Sequence, residues 1–101
     1  MSSIRIKAKE RKGMVAVKTL MKHKMETGLR KNKKGEKIPE HWIQNVTAES
    51  GGKVVFKAAF NTSISKDPYL AFDFSGKKGD TIKISWIDNT GATDSAETSI
   101  K

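Results

Sequence analysis

The chain contains no cysteine, so it can form no disulfide, offer no thiolate nucleophile and build no cysteinyl metal site. Histidine is scarce too: only His23 and His41 are present, one on each side of a long basic segment. No Gly-x-Ser-x-Gly elbow exists to expose a nucleophilic serine. No apolar run approaches the length of a membrane span. The first residues, Met1-Ser2-Ser3-Ile4-Arg5-Ile6-Lys7, alternate polar and apolar and lack the apolar core of a signal peptide, so by itself the chain is expected in the cytoplasm. Acidic side chains are sparse near the amino terminus. Residues 1–37 hold 13 basic and 3 acidic side chains, a net +10, against 7 basic and 8 acidic over the remainder, a net −1. Such a lopsided field steers an anionic partner. Nucleic acid, an acidic protein and a small oxyanion all fit it, and charge alone does not choose among them.

What is present fits one small domain spanning 1–101, with a modest stability margin. At 36% hydrophobic and 31% charged residues, the composition is that of a globular protein with a polar exterior, not a disordered tail. The dominant period is two. Ile4, Ile6 and Ala8 alternate with Arg5, Lys7 and Lys9. A second run, 14–21, follows Gly13. Strand character resumes over 42–49, turns at Ser50-Gly51-Gly52-Lys53 and returns over 54–60. After a connection at 61–68 comes 69–75, with Leu70, Phe72 and Phe74 on one face. Then follow a turn at Gly76-Lys77-Lys78-Gly79-Asp80 and a strand over 81–87 with Ile82, Ile84 and Trp86 on one face. A turn at Asp88-Asn89-Thr90-Gly91 leads to a last strand over 92–100. No segment shows sustained 3.6-residue periodicity. About seven short strands with turns between them predict an all-β fold, an immunoglobulin-like antiparallel sandwich. Its expected core is Val15, Val17, Phe72, Phe74, Ile82, Ile84 and Trp86. Base stacking by Trp86 is outweighed by this core role, given its alternating neighbours.

The exception to the strand pattern is 22–39, long, basic and punctuated by Gly28 and Gly35; loops of this length in small domains are functional or mobile. Its basic side chains, Arg30, Lys31, Lys33, Lys34 and Lys37, would neutralise phosphates, which raises the alternative of a basic nucleic-acid-binding sandwich. No aromatic platform is interleaved with them and no helix is available to enter a groove. The two histidines invite a further alternative, a degenerate relative of the superoxide reductases, which bind iron on an immunoglobulin-like sandwich. Two imidazoles without a thiolate cannot rebuild that centre. The acidic residues look scattered and mostly in turns, which reads as solvated surface. The expectation is a chain that is not an enzyme and carries no cofactor and no metal.

The run Thr19-Leu20-Met21-Lys22-His23-Lys24-Met25-Glu26-Thr27-Gly28-Leu29-Arg30-Lys31, followed by Ile38-Pro39-Glu40-His41-Trp42-Ile43, resembles the SoxZ family. The similarity continues through Val54-Val55-Phe56-Lys57-Ala58, Asp67-Pro68-Tyr69-Leu70-Ala71-Phe72 and Ile84-Ser85-Trp86-Ile87-Asp88-Asn89, with Gly91. One departure is Lys24, where family members often carry proline.

The resemblance implies the smaller, non-catalytic subunit of the SoxYZ carrier of bacterial thiosulfate oxidation. In that family the sandwich binds SoxY, and a cysteine near SoxY's flexible carboxyl terminus carries the sulfur intermediates. It implies a SoxY heterodimer, with possible higher assembly, transient contacts with other Sox enzymes, and no nucleic-acid or membrane partner. It also implies a periplasmic location, reached by co-export on SoxY's signal. Met25, Glu26, Thr27, Gly28, Arg30, Ile38, Pro39 and His41 are the residues it marks for partner binding. For Gly28 and Pro39 a plain turn role weighs equally, and Trp42 and Ile43 are read as core.

Overall fold

The structure, a computed structural model, describes residues 4–60, 64 and 66–101. Residues 61–63 and 65 of the connection expected over 61–68 therefore lie outside the described residues, as do 1–3. Seven strands run in chain order: β1 (Ile4–Arg11), β2 (Met14–Met21), β3 (Ile43–Ser50), β4 (Lys53–Ala59), β5 (Tyr69–Ser75), β6 (Thr81–Asp88) and β7 (Thr93–Ser99). They form two antiparallel sheets, of order β1-β2-β5 and β4-β3-β6-β7. The expected sandwich is therefore observed, with the fourth strand beside β3. Among the described residues there is no helix, and so none long and apolar enough to cross a membrane.

Period-two sequence produces the strands because alternate side chains leave opposite faces of a pleated backbone. In β2, Val15, Val17, Thr19 and Met21 are buried while Met14, Ala16 and Lys18 are exposed. In β6, Ile82, Ile84, Trp86 and Asp88 form the inward row. Of the expected core, Phe72 is only partly buried; its ring stacks on Phe56 of β4 at 4.3 Å, bridging the two sheets at their edges. Gly51 and Gly52 both have positive φ, 60° and 79°, which lets the β3–β4 hairpin close in two residues.

The two sides of the sandwich close differently. On one side the carboxyl terminus is laid against β1, with the Lys101 N–H donating to Ala8 O and the Glu10 N–H to Lys101 O. On the other side β4 and β5 are the sheet edges. There Val54 and Tyr69 are exposed, and Val55, Phe56, Leu70 and Phe72 are half-buried.

The basic segment between β2 and β3 is not a strand, yet it pairs with itself. Glu26 and His41 exchange backbone hydrogen bonds in both directions, at 2.7 and 3.0 Å. Farther out, the Ile38 N–H donates to Arg30 O and the Asn32 N–H to Glu36 O, and the excursion turns at 32–36. Every Lys and Arg described within 4–37 is exposed. Together they give this part of the chain a shared positive field.

Candidate functional site

The base of this excursion meets the end of β6, and a polar cluster is buried there. Asp88 continues the inward row begun by Ile82, Ile84 and Trp86, so it enters the core end of the sandwich instead of solvent. This corrects the reading of Asp88 as a turn residue and of the acids as solvated surface. Asp88 is 1% exposed, and Glu26 is buried as well. The turn proper follows Asp88, and its donors converge on one carboxylate oxygen. Oδ1 of Asp88 accepts from the Thr90 N–H, the Thr90 hydroxyl and the Ala92 N–H. Oδ2 accepts from Nε2 of His23 at 3.0 Å and from Nε2 of His41 at 2.8 Å. Burial alone would push the Asp88 carboxyl upward. The hydrogen bonds from Thr90 and the two histidines overcome it and hold the group well below the usual carboxylate range.

The tautomers follow from the partners. An ionised carboxylate only accepts, so both Nε2 atoms carry hydrogen. Nδ1 of His23 accepts the Met25 N–H at 3.1 Å, so His23 is fixed as the neutral Nε2–H form. The His23 ring also lies edge-on to His41 and to Trp86, with centroids 4.5 and 5.0 Å away. The three ligand-type atoms of His23, His41 and Asp88 lie within 4.8 Å of one another, a spacing compatible with a metal ion. The hydrogen bond into Nδ1 of His23 opposes that use. A metal on Nε2 would require the proton on Nδ1, pointing at the Met25 N–H.

Two residues beyond β6 tie the cluster to the excursion. Asn89 donates its Nδ2–H to Glu40 O and accepts the Trp42 N–H on Oδ1, while its own N–H reaches Trp42 O. Met25 sits at φ 50°, a left-handed conformation uncommon for a residue with a side chain. It is held there because its N–H is bound to His23 and its sulfur accepts the Ile43 N–H. Backbone strain of this kind persists only where surroundings over-determine it.

The residues singled out in the sequence come together on this excursion. Met25, Glu26, Thr27, Gly28 and Arg30 occupy one limb, and Ile38, Pro39 and His41 the other. Met25 is buried and structural. Glu26 is buried with Oε1 bound to Nη1 of Arg30 at 3.0 Å, while its Oε2 is buried without a partner among the described residues. Arg30 is mostly exposed and Pro39 is exposed. Ile43 is core, as expected, and Trp42 is half-buried. Asp88 and Asn89 were missed as site residues, although the inward alternation of β6 runs straight to Asp88.

Gly28 has a reason to be glycine. Its φ is 84°, and a Cβ there would lie 2.6 Å from Cγ of Glu40 on the opposite limb. Gly35 has φ 79° with nothing within 4 Å of such a Cβ. Gly35→Ala should therefore cost about 1 kcal/mol of strain alone, and Gly28→Ala roughly 1 kcal/mol more. Urea unfolding of the pair reads the difference. Equal costs would show that the contact with Glu40 is immaterial.

The comparisons with known proteins bear on this geometry. The family model described as sulphur oxidation protein SoxZ matches residues 4–99. The chain belongs to the SoxZ family. Membership assigns it a role in sulfur oxidation and covers all seven strands, the basic excursion and the His23–Asp88–His41 cluster. A search of curated proteins gave no match. Within this SoxZ-family chain the cluster is built from three separate parts of the fold.

Proposed function

We propose that this chain is the non-catalytic subunit of a SoxYZ-type carrier, holding a SoxY-like companion whose cysteine bears the sulfur intermediates of thiosulfate oxidation. The family match over 4–99 carries the proposal. The absence of any cysteine fits it: a second thiol beside the loaded one would attack its disulfide-like adducts and discharge them. The β4 and β5 edges, where Val54 and Tyr69 are exposed and Val55, Phe56, Leu70 and Phe72 half-buried, offer an apolar surface and strand backbone unpaired among the described residues, the material of a lasting interface. The pair acts in the periplasm, exported together on the companion's signal.

Co-expression with a SoxY-like subunit tests the pairing. The two chains should co-elute as a stable heterodimer, and separate elution at micromolar concentration would overturn the proposal. The basic field of residues 4–37 faces solvent and is placed to steer anionic partners of the pathway. Association rates between the heterodimer and acidic Sox enzymes should fall as salt is raised, because screening shortens the field to ~8 Å at physiological ionic strength. A rate independent of salt would remove the steering role.

A further inference from the structure

We propose that His41 is a proton acceptor for a thiol presented to this face by the companion subunit. This rests on the carrier reading above, because the chain has no thiol of its own and any sulfur it serves arrives on a partner. The geometry begins at Asp88, whose Oδ2 fixes hydrogen on Nε2 of both histidines. His23 is then saturated, since its Nδ1 accepts the Met25 N–H. His41 is not. No hydrogen bond among the described residues reaches its Nδ1, and its side chain is 36% exposed, against 3% for His23. In the neutral ring that atom bears a bare lone pair. A carboxylate holding one imidazole nitrogen while the other takes a proton is the arrangement that activates nucleophiles elsewhere, and the ring atoms simply exchange roles here. Asp88 and His23 are positioning residues in this scheme, and Thr90 fixes Asp88.

The ring lines an open pocket together with Lys22, Lys24, Trp86, Thr93 and Asp94. The charged and titratable groups around it come from every neighbouring element. Lys22, His23, Lys24 and Glu26 follow β2, Glu40 precedes His41 in the chain, Asp88 ends β6 and Asp94 lies in β7. The ammonium groups of Lys22 and Lys24 line the pocket and favour a thiolate over a thiol, with the Asp94 carboxylate opposing them. A small oxyanion would be ionised already and would have no proton for His41 to take, so a thiol uses the lone pair as an oxyanion does not. In the step, the S–H bond breaks, the proton moves to Nδ1 of His41 and the electron pair stays on sulfur. The imidazolium formed rests against the Asp88 carboxylate, and no electrons are transferred. The thiolate is the form that exchanges with disulfide-like adducts.

The test uses the intact heterodimer and iodoacetamide as the probe. Alkylation of the companion's thiol is timed from pH 5 to 9 with the wild-type chain and with His41→Gln, which retains an N–H for Asp88 and cannot take a proton. Near pH 6.5 the wild-type pair should react about tenfold faster, the effect of one pKa unit. The variant should follow an ordinary thiol, titrating near pH 8.5. Superimposable profiles in an assembled pair overturn this proposal alone, whereas a wild-type chain that does not assemble overturns the carrier reading and the proposal with it. Should His41→Gln fail to assemble, the Nδ1 nitrogen resonance of His41 decides in the wild-type heterodimer. Its titration should change when the thiol is blocked, and an unchanged titration is fatal.

Discussion

Asp88→Ala should lower stability by about 3 kcal/mol, a drop of roughly 12–24 °C in Tm for a domain of this size. The carboxylate accepts three hydrogen bonds on Oδ1 and two on Oδ2 while almost wholly buried. Removing it strands the Nε2–H of His23, whose side chain is 3% exposed and whose other nitrogen is already engaged. The donors of Thr90 and Ala92 lie near the surface and can turn to water, so His23 carries most of the loss. Asp88→Asn should cost clearly less than Asp88→Ala, because its side-chain oxygen can still accept from both histidines while its NH2 faces the exposed Thr90 and Ala92 donors, which turn to water. An Asp88→Asn as damaging as Asp88→Ala would mean that the Thr90 and Ala92 bonds, and not His23, explain the position.

The same residue shapes the response to acid. Its folded pKa lies below its unfolded value, so the unfolded chain binds the proton more readily. The stabilisation is fully present above about pH 4, the range of an unfolded aspartate, and is lost as pH falls toward the depressed folded value. Between pH 4 and pH 2 the wild type should lose more stability than Asp88→Asn does. Urea midpoints measured at each pH check the sign, and parallel curves would contradict it.

Ile84→Ala should cost about 4 kcal/mol, and Ile84→Val about 1. Ile84 lies in the middle of β6 and is 0% exposed. Its cross-strand partners on the two flanks are Ala48 of β3 and Ala96 of β7. A large side chain between two small ones has no bulky sheet neighbour to relax into the void, which puts the truncation toward the costly end of its range. Ile87 is the internal comparison, because it lies on the opposite face of the same strand and is 40% exposed. Ile87→Ala should cost well under 1 kcal/mol. Similar losses at the two positions, read by urea unfolding, would contradict the assignment of faces.

Much of the sandwich was legible because alternation is a local signal. β2 and β5 match the segments read from the sequence, 14–21 and 69–75, and the inward rows of β5 and β6 follow from residues spaced by two. The site was harder to see. Asp88-Asn89-Thr90-Gly91 has turn chemistry, and the turn signal masked the fact that Asp88 still obeys the alternation of β6. Continuing the row one step past Trp86 would have found it. The excursion offered no such handle. Its pairing of Glu26 with His41 and of Lys31 with Lys37 has no period in the sequence. The left-handed Met25 bears a side chain that ordinarily argues against that conformation. Two histidines 18 residues apart meet only because that unpatterned segment folds back between them.

In a charged heterodimer the sulfur should reside on the companion and not on this chain. Intact-mass spectrometry of a heterodimer incubated with thiosulfate and the enzymes that load it should find the added sulfur mass on the SoxY-like companion, with this cysteine-free chain unchanged. Sulfur mass on this chain, or loading that proceeds equally well on the companion alone, would contradict it.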